Sequence, residues 1–96
     1  MPMTVIVTRD VPMRTRGFLT SIAPEPAPGV YAAADMTNRV RERIWSVVSD
    51  WHVATGEGSI LMVWRDDKAP GGLGLATLGT PPRRLADLDG VLVSVW

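Results

Sequence analysis

The sequence predicts an α+β sandwich in which two helices cover one face of a mainly antiparallel sheet. Short β-branched apolar segments alternate with two segments of helical periodicity, in the order β-α-β-α-β-β-β. The 96 residues suffice for one domain, which we place at 1–96. With 46% hydrophobic and 21% charged residues, the composition is that of a folded chain. We expect residues 1–79 to form the core, and 80–96 to form a connection and a C-terminal strand for partner contacts.

The first strand and helix come from the N-terminal quarter. Met3–Thr8 is β-branched and apolar, which predicts a buried strand. Asp10 before Val11 and Pro12 is typical of a helix start, with the carboxylate as the cap. We expect this helix to run to about Ala23, before three prolines that end it. Its apolar face consists of Val11, Phe18, Leu19 and Ile22, with Arg16 on the opposite side.

The second strand and helix follow directly. Gly29–Ala34 predicts a short strand, and Asp35 or Thr37 caps a helix over 37–54. Arg41 flanks the buried stripe of this helix, and Trp45 is expected further round toward solvent, as a contact surface. The stripe itself consists of Val40, Ile44, Val47, Val48 and Trp51.

The last part of the chain predicts three strands. Ser59–Arg65 and Leu73–Gly79 flank a polar hairpin loop. Thr80–Arg84 is a proline-stiffened connection, and Asp87–Gly90 is a turn. The final strand, 91–96, is expected to pair with the sheet edge of a partner. Because the first and third strands are apolar on both sides, we expect a second protomer to cover the open face of the sheet.

Composition excludes several functions. The chain has no cysteine, so disulfides and thiolate chemistry are absent. It shows no signal peptide, and its longest apolar run, 60–64, is too short to span a membrane, so we expect a cytoplasmic protein without membrane contact. The net charge is zero, from ten basic and ten acidic residues.

Arginine clusters are the main functional signal. Seven of the ten basic residues are arginines in three sets, which are Arg14 and Arg16; Arg39, Arg41 and Arg43; and Arg83 with Arg84. A guanidinium fits a phosphate in bidentate fashion. The sets therefore favour a nucleic-acid backbone as partner, although solvated faces remain the plain alternative.

Four motifs make a family resemblance specific. They are Val7-Thr8-Arg9-Asp10-Val11-Pro12-Met13-Arg14-Thr15-Arg16-Gly17; Gly29-Val30-Tyr31; Arg39-Val40-Arg41-Glu42-Arg43-Ile44-Trp45; and Arg83-Arg84-Leu85-Ala86-Asp87-Leu88-Asp89-Gly90. In this order and spacing they closely resemble CRISPR-associated protein 2 of the subtype I-E systems. The resemblance runs from Met1 to about Val95, with an insertion near Ala33.

The resemblance implies a fold, partners and a function. The fold is ferredoxin-like, and the protein is a symmetric homodimer. The dimer bridges two dimers of the integrase, CRISPR-associated protein 1, during acquisition of new spacers. It binds the backbone of duplex protospacer DNA without reading its sequence.

The resemblance also assigns residues. Arg14, Arg16, Arg83 and Arg84 match DNA-contacting positions, and Arg39 and Arg41 match basic positions on the second helix. The chain end helps to anchor the integrase, here through Val91, Leu92, Val93, Ser94, Val95 and Trp96. This end is slightly shorter than the family pattern, which leaves the contacts open.

A catalytic role is the main alternative. The wider family is described as a metal-dependent endonuclease, with a first-strand carboxylate that binds a cation such as Mg²⁺ at the dimer axis. Here Arg9 occupies the usual acidic position, and the carboxylate follows at Asp10, so Asp10 is the catalytic and metal-binding candidate. We favour its role as a helix cap over that site.

Other candidates are weaker. His52 is expected at the protein surface, and Asp87 and Asp89 are expected to shape a turn rather than bind a metal. A third hypothesis is a ferredoxin-like oligomer without a nucleic-acid partner, which the neutral net charge supports.

Overall fold

The computed structural model describes residues 3–79 and 84–95, without the side chains of residues 84 and 85. This part of the chain contains six strands and two α-helices in the order β1-α1-β2-α2-β3-β4-β5-β6. Their bounds are β1 Thr4–Arg9, α1 Met13–Ile22, β2 Val30–Ala33, α2 Asn38–Thr55, β3 Ser59–Arg65, β4 Leu73–Leu78, β5 Arg84–Leu88 and β6 Val91–Val95. A 3₁₀ turn at Pro70–Gly72 precedes β4. The predicted α+β class is confirmed.

Two antiparallel sheets form. The larger has the order β2-β1-β3-β4, and β5 pairs with β6 in the smaller. In register, Ile6 lies opposite both Tyr31 and Met62, and Trp64 lies opposite Gly74. An antiparallel four-stranded sheet with both helices on one face is compatible with the ferredoxin-like fold.

The core lies between the sheet and the helices. Alternate strand residues Ile6, Tyr31, Ile60 and Met62 are buried. From the helices, Leu19, Ile44 and Val48 pack into the same cluster. Both helices therefore cover the same face of the larger sheet.

The other face of the sheet is apolar and open. It carries Val5, Val7, Val30, Leu61, Val63 and Leu75, which are half-buried or exposed in the single chain. Val7 is 37% exposed and Leu75 is 38% exposed. Both are large fractions for β-sheet residues of this type.

The start of α1 differs from the expectation. Asp10 is not the helix cap: it has a positive φ of 57°, and the helix begins at Met13 after Pro12, which makes no side-chain capping bond. The carbonyl of Pro12 instead accepts the N–H groups of Thr15 and Arg16. Ile22 was also expected in the core but is exposed, and Thr15 is buried instead.

The second helix follows the prediction more closely. Of the two candidate caps, Thr37 is the one used, and its Oγ1 accepts the N–H of Val40 at 3.1 Å. The helix ends at Gly56 in a left-handed conformation. Trp45 was expected toward solvent; this is wrong, since it is half-buried and packs against the core. In the described residues, neither helix is long and apolar enough to cross a membrane.

Candidate nucleic-acid interface

The first helix displays Arg14 and Arg16 at its N-terminal turn. Both side chains are exposed, and they point to different sides of the helix because two residues correspond to about 200° of rotation. Arg14 lies over the ring of Trp51, with the guanidinium carbon 4.1 Å from the ring centroid. No carboxylate of the described residues forms an ion pair with either arginine. Their charge is therefore available to an anion.

The second helix carries its arginines near its N-terminus. Arg39 and Arg43 are exposed and lie on the same side, one turn apart. Arg41 is half-buried over the ring of Trp64, at 4.1 Å from the centroid, and its Nη1 donates to Asn38 Oδ1 at 2.6 Å. Part of the Arg41 guanidinium is thus already used within the protein.

The structure does not bring these two sets together in one chain. Arg14 contacts Trp51 near the C-terminal end of α2, whereas Arg39, Arg41 and Arg43 lie near its N-terminal end. The ten residues from Arg41 to Trp51 span about 15 Å of helix. One chain therefore presents separate positive points rather than one patch.

The third set falls mostly outside the described residues. Arg83 lies there, and for Arg84 the backbone alone is described, as the first residue of β5 opposite Val95. The following turn is a two-residue hairpin at Asp89 and Gly90, both with positive φ. The side chain of Asp87 accepts the N–H of Gly90 at 2.8 Å, so its expected role in shaping the turn is confirmed.

The segment expected to bind a partner forms a strand within the chain. Val91–Val95 pairs with β5, and Trp96 lies outside the described residues. The hairpin contacts the rest of the chain near the 3₁₀ turn, where the Leu92 side chain packs so closely on Gly71 that a Cβ there would collide with it. No residue of the hairpin belongs to the described core cluster.

The structure places Asp10 in a tight backbone turn. Its carboxylate is exposed, and Gly58 packs against the carbonyl oxygens of Arg9 and Asp10 so closely that an added Cβ would lie 2.6 Å from each. The half-buried His52 ring lies nearby, with Nε2 3.2 Å from the Gly58 carbonyl. No group of three or more His, Asp or Glu among the described residues could hold a cation. Within the described part of one chain, Asp10 therefore belongs to no such cluster.

A cavity beside Arg41 is the feature that the sequence did not predict. It has a volume of about 360 Å³ and lies between α2 and the sheet, and its walls include Trp45, Met62, Trp64 and Ala76. Gly74 makes it possible, because a Cβ at that position would collide with the Trp64 indole. The sequence signal for this cavity is a glycine opposite a tryptophan on paired strands, and it can be recognised only when the strand register is known.

One family model matches most of the chain. Residues 3–93 match the family model described as CRISPR-associated protein (Cas_Cas2CT1978). The chain belongs to this CRISPR-associated family. The match covers β1 to β5, the first three residues of β6 and all three arginine sets, so it includes the motifs that carried the resemblance. A role in a CRISPR system follows for this family member.

Proposed function

We propose that the chain is a structural, DNA-binding subunit of the spacer-acquisition complex of a subtype I-E system. Two copies would bridge integrase dimers and bind the backbone of duplex protospacer DNA. The observation that carries the proposal is the set of exposed arginines, Arg14, Arg16, Arg39 and Arg43, without carboxylate partners among the described residues. In a chain of zero net charge, arginines left unpaired point to an external anion.

The chemistry of these residues suits the task. Phosphate contacts supply affinity and register but carry no sequence information. A protein that captures DNA of any sequence needs this kind of contact. Separate positive points near both ends of α2 suit a long polyanion better than a small ligand, since a duplex presents phosphates along its whole length.

The homodimer is supported by the open sheet face. Val7, Leu61, Val63 and Leu75 form an apolar surface with only partial burial in one chain. A second copy, related by two-fold symmetry, would cover this surface with the same residues and double each arginine set. Bridging between integrase dimers requires this symmetry.

Integrase binding is supported by the β5–β6 hairpin. It is a two-stranded sheet outside the core, so each strand has an unpaired edge among the described residues. Such an edge can add to the sheet of a partner. Val91–Val95 is therefore the segment that we assign to the integrase.

The test compares two double variants with a control. Arg14→Ala/Arg16→Ala and Arg83→Ala/Arg84→Ala should each weaken DNA retention by the complex with the integrase and reduce spacer acquisition in cells. Arg65→Ala is the matched control, because this exposed arginine already pairs with Asp67 at 3.1 Å. It should leave both readouts unchanged. Full retention and acquisition in both double variants would contradict the proposal.

A metal-dependent endonuclease is the alternative, and Asp10 would carry it. Asp10 is not the helix cap and its carboxylate is exposed, but it belongs to no group of three or more potential metal ligands among the described residues of one chain. Asp10→Asn separates the two functions. Unchanged acquisition is expected if the subunit is structural, because asparagine tolerates the left-handed backbone. Loss of acquisition together with loss of a Mg²⁺-dependent cleavage activity would favour the nuclease.

A further inference from the structure

The stacked pair of Arg14 and Trp51 suggests a role for the tryptophan. We propose that Trp51 is a positioning residue, which holds the Arg14 guanidinium in the orientation that binds a DNA phosphate. The inference rests on the proposed function. Its basis is the contact itself: Arg14 is exposed on the first turn of α1, and its guanidinium carbon lies 4.1 Å from the ring centroid of the half-buried Trp51.

The ring of Trp51 is itself held in place. Phe18 packs edge-on against it, with ring centroids 5.3 Å apart and an interplanar angle of 73°. Phe18 lies four residues after Arg14, so both are neighbours on one side of α1. Arg14 and Phe18 of the first helix therefore both contact the tryptophan of the second helix.

The contact with Trp51 restricts the Arg14 side chain but does not neutralise its charge. The guanidinium carbon lies over the ring, and no carboxylate among the described residues pairs with its N–H groups. An ion pair with a carboxylate would instead occupy those donors. A long side chain loses rotamer freedom when it binds a ligand, and Arg14 has already lost part of that freedom in the stack.

Other arginines in the chain lack this combination. Arg16 is exposed and makes no aromatic contact among the described residues. Arg41 stacks on Trp64 at the same distance, but it is half-buried and donates to Asn38. Of the arginines with described side chains, Arg14 alone combines a contact with an aromatic ring, an exposed side chain and N–H donors that no described residue accepts.

A double-mutant cycle tests the coupling. The full-length protein would be titrated onto a fluorescein-labelled duplex of arbitrary sequence at several salt concentrations, with R14A, W51L and R14A/W51L. A second cycle uses R16A and R16A/W51L as the matched control on the same helix. W51L should weaken binding roughly two- to fivefold per chain, the range expected for an exposed cation–π contact. W51F should restore much of the loss, because phenylalanine keeps an aromatic face.

The expected pattern is specific to positioning. The effect of W51L should vanish in the R14A background and persist undiminished in the R16A background. R14A should lower the salt dependence of binding, since a phosphate contact is removed, whereas W51L should leave it unchanged because the charge remains. Equal effects of W51L in both backgrounds would overturn the inference, since they indicate a general loss of structure.

Two failures are distinguishable. If R14A and R16A both leave affinity and salt dependence unchanged, the proposed DNA contact of this helix fails, and the inference falls with it. If R14A weakens binding and W51L does not, the positioning role alone fails. Where W51L proves unfolded by circular dichroism, W51M takes its place in both cycles, because methionine also lacks an aromatic face: coupling to R14A that exceeds its coupling to R16A supports the inference, and equal coupling overturns it.

Discussion

Gly58 occupies the point at which the β1–α1 turn meets the start of β3. Its φ is +76°, and a Cβ there would lie 2.6 Å from the carbonyl oxygens of both Arg9 and Asp10. Those oxygens belong to the backbone, so they cannot move without shifting the turn that leads into the arginine-bearing helix. Position 58 therefore requires glycine for two reasons: its backbone is left-handed, and there is no space for a Cβ atom.

Replacement of Gly58 by alanine should therefore destabilise the protein strongly. We expect a loss larger than the roughly 1–2 kcal/mol of a left-handed alanine alone. Gly56→Ala is the matched control, because Gly56 also has a positive φ, of 66°, but no atom lies within 4 Å of its Cβ position. Urea denaturation of both variants gives the difference. Equal losses would mean that the close packing against residues 9 and 10 is not rigid.

At the scale of single elements, α2 depends on its N-terminal cap. Thr37 Oγ1 accepts the N–H of Val40 and satisfies one of the unpaired donors of the first turn. The helix supplies Ile44 and Val48 to the core as well as Arg39, Arg41 and Arg43 to the candidate interface. Its first turn therefore matters to both stability and binding.

Loss of this cap should lower the free energy of unfolding by about 1 kcal/mol in Thr37→Ala. Thr37→Ser keeps the hydroxyl and should stay within a few tenths of a kcal/mol of the unsubstituted protein, which isolates the hydrogen bond. Thermal and urea unfolding measure both. A serine variant as unstable as the alanine variant would show that the threonine methyl group, rather than the cap, stabilises this end.

Element prediction failed where strand and turn signals overlap. Asp87–Gly90 contains two acidic residues and a glycine, so it was interpreted as one turn, but Asp87 and Leu88 are the end of β5 and the turn is Asp89–Gly90. The order therefore contains one strand more than expected. Similarly, Asp10 before a proline looks like a cap, and only the backbone angle at Asp10 shows that the helix starts later. By contrast, Ser59–Arg65 matched its strand because buried apolar runs have few alternatives.

Removal of the β5–β6 hairpin should leave the rest of the chain folded but abolish its binding to the integrase. A variant that ends at Gly79 keeps every residue of the described core cluster and all four strands of the larger sheet. We expect it to remain folded by circular dichroism and to lose co-purification with the integrase. Leu92→Ala, which removes contact with Gly71 but keeps the strand, is the milder companion. Retained integrase binding by the shortened chain would assign the contact to another surface.

For the whole molecule, the site was less predictable than the fold. Helical periodicity and apolar strand segments predict the helix layer and the sheet layer, because both signals depend only on the local sequence pattern. The helical repeat also predicts exposed positions for Arg16 and Arg39, and both are exposed. The Arg14–Trp51 stack was not, since it joins residues 37 positions apart whose meeting depends on how two helices pack. The family resemblance indicated which arginines contact DNA, but the residues that they contact within the chain depend on how the elements pack.

Charge on the open sheet face should convert the proposed homodimer into monomers. In Val7→Asp or Leu75→Asp, two-fold symmetry places two new carboxylates in one apolar interface, where burial without partners is costly. Both positions are more than a third exposed in a single chain, so the monomer should still fold. Val53→Asp is the control, because this valine is 85% exposed on α2, away from the sheet. Sedimentation equilibrium should find monomers for the first two variants and a dimer for the control.

Affinity for DNA should fall with the loss of the dimer, even though every arginine is retained. A duplex bound by two copies engages both arginine sets at once, and the second set binds at a high effective concentration. A monomer offers only the separate points of one chain, so its affinity and its salt dependence should both decrease. If Val7→Asp and Leu75→Asp still form dimers at micromolar concentration, the dimer interface lies on another surface. The arginines would then be arranged along the duplex in a different way from the one proposed.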